Sequence, residues 1–138
     1  MNGRDDFLEL DAALTADLAR IGHEFQVEFL ERARPARADD LGLLGDLAHA
    51  LTRIGRYAEG LAVDRRIVEL APVDPTARYN LACSLSLTGA IDEAVDELLR
   101  ARECGWKDLG LAHSDPDLEA ARTSPRFVEL FGPAPEQA

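Results

Sequence analysis

One spacing constrains this chain more than any other: residues 40–74 recur at 74–108 with a period of 34 and no gap. Sliding the first segment onto the second places Asp40 on Asp74, Leu47 on Leu81, Ala48 on Ala82, Leu51 on Leu85, Gly55 on Gly89, Glu59 on Glu93, Arg66 on Arg100 and Glu69 on Glu103. A fixed period of this length marks a stack of small units that cover one another's apolar faces. It settles the architecture before any single element is assigned.

Inside each unit the apolar residues follow helical spacing. Leu44, Leu47, Ala48 and Leu51 form one stripe, and Leu61, Ile67, Val68 and Leu70 belong to a second helix. Gly55 and Gly89 lie between the two helices of their units, where a residue at positive φ ends a helix and a Cβ is disfavoured. The run Leu70-Ala71-Pro72-Val73-Asp74-Pro75 closes the first unit, with Asp74 placed to cap the next helix and Pro75 at its first position. Apolar residues make up 46% of the chain, but the aromatics are only five Phe, two Tyr and one Trp. The core is therefore aliphatic, with Ala48, Ala82, Gly60 and Ala94 small where helices approach most closely. An all-α chain follows.

The 34-residue helix-turn-helix unit resembles the tetratricopeptide repeat, whose pattern runs W-x2-L-G-x2-Y, then Ala, an aromatic and Pro. In the first unit Leu44 stands for the Trp, Leu47 and Ala48 for Leu-Gly, Leu51 for Tyr, Gly60 for Ala, Asp64 for the aromatic and Pro72 for the closing Pro. In the second, Arg78-Tyr79-Asn80-Leu81-Ala82-Cys83-Ser84-Leu85 is similar to the family's first helix; Gly89, Ala94, Leu98 and Ala101 follow, and Trp106 replaces the proline. The resemblance implies an α-solenoid of antiparallel helix pairs: repeat one over 41–74, repeat two over 75–108, and degenerate capping helices on either side.

Two units need covers at both ends. Toward the N-terminus Arg20-Ile21-Gly22 echoes Arg53-Ile54-Gly55, followed by Phe25, Val27, Phe29, Leu30 and Ala33. Residues 5–38 thus read either as a degenerate unit, with helices near Phe7–Ala19 and His23–Arg34, or as one long helix, since a lone Gly22 costs only about 1 kcal/mol in a helix interior. Toward the C-terminus, Asp115-Pro116-Asp117-Leu118 and Pro125-Arg126-Phe127 are similar to the closing segment of many bacterial tetratricopeptide proteins. Over 109–131, Asp115 and Ser124 are placed to cap short helices beginning at Pro116 and Pro125, and Phe127, Leu130 and Phe131 share an apolar face. Residues 132–138, with two prolines, read as a disordered tail of a single 1–138 domain.

The net charge is −11, from 26 acidic and 15 basic residues, which argues against a nucleic-acid partner. The start Met1-Asn2-Gly3-Arg4-Asp5-Asp6 lacks the basic and apolar regions of a secretory signal, and no run reaches the roughly 18 apolar residues of a membrane span. A cytoplasmic protein with no membrane association is expected. Lys107 is the sole lysine against fourteen arginines, the codon bias of a GC-rich genome, which points to a bacterial source. Cys83 and Cys104 form no C-x-x-C pair, and His23, His49 and His113 join no ligand motif, so neither a metal nor another cofactor is expected. His113-Ser114-Asp115 holds the letters of a hydrolytic triad, but neighbours in sequence cannot adopt its geometry. No catalytic residue is assigned and the chain is not read as an enzyme.

The resemblance implies that the concave side, lined by the first helix of each pair, is the binding surface. Those positions hold Gly45, Asp46, His49, Thr52 and Arg53 in the first unit and Thr76, Tyr79, Asn80, Cys83 and Leu87 in the second. Asp46, His49, Arg53, Tyr79, Asn80 and Cys83 are the candidate peptide-binding residues. Asn80 leads them, because an amide both donates to and accepts from an extended backbone. Chaperone-binding members hold a terminal carboxylate with Lys, Arg and Asn side chains. Here only Asn80 fits that set, with Gly45 and His49 where Lys and Asn would stand, so a neutral or basic segment suits the groove better. The expected role is a non-catalytic adaptor or scaffold that binds a peptide or helix of another protein; the alternative is a self-associating assembly protein, a homodimer using the same surfaces.

Overall fold

The computed structural model describes residues 5–136, with side chains from Asp11 onward. Met1–Arg4, within the start read as no secretory signal, and Gln137 and Ala138, the end of the expected tail, lie outside the described residues. Among the described residues seven α-helices follow one another: α1 (Asp5–Ala33), α2 (Leu41–Arg53), α3 (Tyr57–Leu70), α4 (Pro75–Leu87), α5 (Ile91–Glu103), α6 (Leu109–Ser114) and α7 (Pro125–Phe131). Short 3-10 turns at Arg34–Ala36, Pro116–Leu118 and Ala121–Thr123 complete the order, and the described residues contain no strand. No described helix is long and apolar enough to cross a membrane.

Each helix pair starts and stops on local chemistry. Asp40 and Asp74 accept from the backbone N–H groups of Leu43 and of Thr76 and Ala77, opening α2 and α4. Each such cap stabilises its helix by about 1 kcal/mol. Asp108 opens α6 in the same way, accepting from Leu111 N. Gly55 and Gly89 end α2 and α4 at φ 80° and 83°. Behind each, the next N–H reaches back to the last turn, Arg56 N to Leu51 O and Ala90 N to Leu85 O, both at 2.9 Å.

Consecutive helices pack antiparallel in pairs, α2 with α3 and α4 with α5, and α3 packs on α4 to join them. This is a tetratricopeptide-like helical repeat solenoid. Two apolar clusters run through it. Val27 and Leu30 of α1 join Leu43, Leu44, Leu47 and Leu51 of α2 and Val63 of α3, while Leu81, Leu85, Val95 and Leu98 of the second pair join Leu118, Phe127 and Phe131 of the C-terminal segment. In α3 the fully buried face is Gly60, Val63 and Asp64, whereas the expected Leu61, Ile67, Val68 and Leu70 are only half-buried. Gly60 sits close against α2, since a Cβ there would lie 3.1 Å from Thr52 Oγ1 and 3.5 Å from Ala48 O.

The flanks depart from a simple continuation of the repeat. α1 runs unbroken through Gly22, so the N-terminal region is one long helix rather than a helix pair. At the other end Asp115 caps the Pro116–Leu118 turn, accepting from Asp117 N at 2.9 Å. Ser124 stands at the N-cap of α7, but its hydroxyl makes no cap bond. Phe127 and Phe131 are buried, and Leu130 packs beside them half-buried.

Candidate functional site

A cleft of about 140 Å³ opens between α2 and α4. Helical spacing sets its walls. Gly45, His49, Thr52 and Arg53 advance along one face of α2, and Tyr79, Asn80 and Cys83 along one face of α4. Of the positions read from the sequence, Asp46, Thr76 and Leu87 do not line it; Asp46 is exposed on α2 beside it. His49, Arg53 and Asn80 are exposed. His49 is braced edge-on by His23 of α1, with ring centroids 5.8 Å apart.

Tyr79 and Cys83 occupy the cleft differently from free groove side chains, because both are buried. The Tyr79 ring stacks on Trp106, with centroids 4.6 Å apart and planes 18° from parallel. Its hydroxyl donates to Asp115 Oδ2 at 2.7 Å, and the Cys83 thiol donates to the same oxygen at 3.8 Å. Burial, with the carboxylate of Asp115 adjacent, pushes the ionisation of both groups well above their usual ranges. Cys83 is therefore a neutral thiol and not a nucleophile.

Five residues of the cleft were not assigned to it from the sequence: Ala48, Asp64, Ser84, Asp115 and Asp117. Asp115 and Asp117 arrive from the C-terminal segment, which folds back across the groove. Arg53 donates to Asp117 Oδ2 at 2.8 Å, tying α2 to a residue 64 positions along the chain. Arg122 fastens the strap from behind through the carbonyls of Ala112 (3.1 Å) and Asp115 (2.7 Å). Asp64 comes from α3 and accepts a hydrogen bond from the Ser84 hydroxyl of α4. It is 5% exposed, and burial raises its carboxyl pKa to about 6, with the Ser84 bond acting in the opposite direction. The sequence did carry a signal for Asp64, because it is an acid at a position where the repeat pattern expects an aromatic. Nothing local announced that Asp115 and Asp117 would reach the groove.

This arrangement can hold a ligand by hydrogen bonds and by negative charge. Three carboxylates, Asp64, Asp115 and Asp117, stand around the cleft, and the Arg53 guanidinium lining it is engaged by Asp117. Among the described residues no group of three or more His, Cys, Asp or Glu side chains is arranged to hold a metal ion.

No family model matches the chain. Over 97 residues, 65% of its length, it is 33% identical to the TPR repeat-containing thioredoxin TTL4 of Arabidopsis thaliana. This supports a tetratricopeptide-like family. A second relative, a chloroplastic protein of the same plant, is 31% identical over 80 residues, or 56% of the chain. The tetratricopeptide-like chain spans only 14% and 24% of the lengths of these two relatives.

Proposed function

We propose that this chain is a non-catalytic interaction module that takes a neutral or basic segment of another protein, extended or helical, into the cleft between α2 and α4. The observation that carries this reading is that Asn80 and His49, both exposed, line a cleft to which Asp64, Asp115 and Asp117 also contribute carboxylates. The Asn80 amide offers a donor and an acceptor to a peptide backbone, and the partly desolvated carboxylates favour a lysine or arginine side chain beside it. The similarity to a repeat protein supports a protein as the ligand class. In this reading residues 5–38 and 109–131 cap the repeats at 41–74 and 75–108 within one domain, and the protein acts as an adaptor in the cytoplasm.

Tyr79 is unsuited to testing the groove, since removing it also removes the stack on Trp106 and the bond to Asp115. The informative variant is His49→Ala/Asn80→Ala, which changes two exposed side chains. A random peptide library displayed against the wild-type chain should enrich sequences bearing Lys or Arg, and these should bind the double variant at least tenfold more weakly. Enrichment of acidic peptides, or equal binding by the variant, would exclude the cleft as the binding surface.

A further inference from the structure

The repeats leave one surface uncovered. Residues 11–22 of α1 are exposed on every side, and the helix meets the body farther along, where His23 packs edge-on against His49, Val27 and Leu30 enter the first apolar cluster and Glu31 accepts from Arg56. Leu14, Leu18, Ile21, Phe25 and Phe29 nevertheless align on one face, each 55–70% exposed. A helical segment with no tertiary support is marginal in water, so the N-terminal half of α1 calls for a partner surface. Together the five side chains present roughly 600 Å² of apolar surface, at the upper limit of the patches that monomers expose.

We propose that this face is covered by α1 of a second copy of the chain, lying antiparallel about a two-fold axis between Ile21 and Gly22. The stripe is self-complementary about that point. Leu14 and Phe29 are equidistant from it, and so are Leu18 and Phe25, which sets each leucine against a phenylalanine of the other copy. Ile21 falls opposite Gly22, where even an added Cβ would meet nothing in the single chain. At the aromatic end Phe25, Glu28, Phe29 and Arg32 surround a hollow of about 130 Å³, open to receive Leu14 of the second copy.

Charge selects the direction. Asp11 and Arg32 are also equidistant from the axis, so antiparallel pairing brings opposite charges together at both ends of the interface. A parallel, in-register pair would instead set Asp11 of each chain against its own copy. Antiparallel pairing also lays the unsupported half of each α1 on the anchored half of the other, with the two bodies at opposite ends. Burying the stripe on both copies removes about 1,200 Å² in total, the lower edge of what a specific interface needs. The groove between α2 and α4 plays no part in this contact and stays open.

Light scattering on the full chain at tens of micromolar tests the pairing. The expected mass is twice the 15.1 kDa of one chain, and Leu18→Glu/Phe25→Glu should raise the dimer dissociation constant at least tenfold. A single-chain mass for the wild type, or a dimer indifferent to both substitutions, overturns the proposal. Direction is read separately in a Cys104→Ser background by oxidising mixtures of Leu14→Cys and Phe29→Cys chains. The mixed disulfide should form, and each chain alone should not cross-link. Self-linking of Leu14→Cys chains without the mixed product overturns the antiparallel arrangement.

Discussion

Asp64 shows how much one buried side chain can alter the balance of a small repeat protein. Its carboxyl has a pKa of about 6 in the folded chain against 3.8 for an unperturbed aspartate. The folded state thus holds this proton more tightly than the unfolded chain does. The contribution to stability is therefore most favourable below about pH 4, declines as pH rises through about 6, and is a constant penalty above that. The penalty at neutral pH is on the order of 2–3 kcal/mol. Asp64→Asn keeps an acceptor for the Ser84 hydroxyl and removes the charge. The variant should have a higher urea midpoint than the wild type at pH 7.5 and no advantage at pH 4, so an equal gain at both would show that burial of charge is not the cause. A glycine makes a simpler case at the same scale. Gly89 sits at φ 83° with open space around it, so Gly89→Ala meets no clash and only backbone strain, about 1 kcal/mol by the cost of the left-handed conformation. Thermal unfolding should register a loss of that size.

At the scale of elements, the C-terminal segment packs Leu118 and Phe127 into the core of the second pair, and its Asp115–Asp117 turn is tied to the groove by polar contacts. Asp115 accepts from the Tyr79 hydroxyl, the Cys83 thiol and the N–H of Asp117. Asp115→Ala removes all three hydrogen bonds and leaves a buried hydroxyl unpaired, a loss of about 1–3 kcal/mol. Amide exchange should then quicken across residues 109–124 while α2 and α3 keep their protection; faster exchange throughout the chain would show that the strap supports the whole fold. These contacts explain what was and was not legible beforehand. The helix pairs were readable because their signals are local: an aspartate before each first helix, a glycine after it, apolar residues at helical spacing. Trp106 was readable only as a departure from the repeat. With Gly105 at φ 110°, the Trp106 N–H closes α5 by donating to Ala101 O at 2.9 Å, a bond that a proline could not make. Asp115 and Asp117 announced a turn, which they form, but their approach to Tyr79 and Arg53 depends on how α6 folds back, and no local pattern encodes that. Gly22 misled for the opposite reason. Its echo of Gly55 lacks the positive φ and the reversal that end α2, and in a helix interior its cost is too small to break α1.

Across the whole molecule the two ends carry unequal structural weight. Phe127, Phe131 and Leu118 pack against Leu85, Val95 and Leu98, so the C-terminal segment completes the core of the second pair. Residues 11–22, by contrast, are exposed throughout and enter neither apolar cluster. Removing residues 109–138 should therefore expose the apolar faces of α4 and α5 and leave a chain that aggregates or loses its cooperative thermal transition. Removing residues 1–20 should leave the repeats folded, because Val27 and Leu30 still cover α2. If α1 pairs between copies, the shorter chain also loses the concentration dependence of its melting temperature, since association stabilises only a species that can associate. Melting both deletions alongside the full chain at two concentrations separates these effects. A collapse of the repeats on losing residues 1–20 would show that the exposed half of α1 supports the body directly, and the distinction between an anchored and a projecting half of that helix would fail.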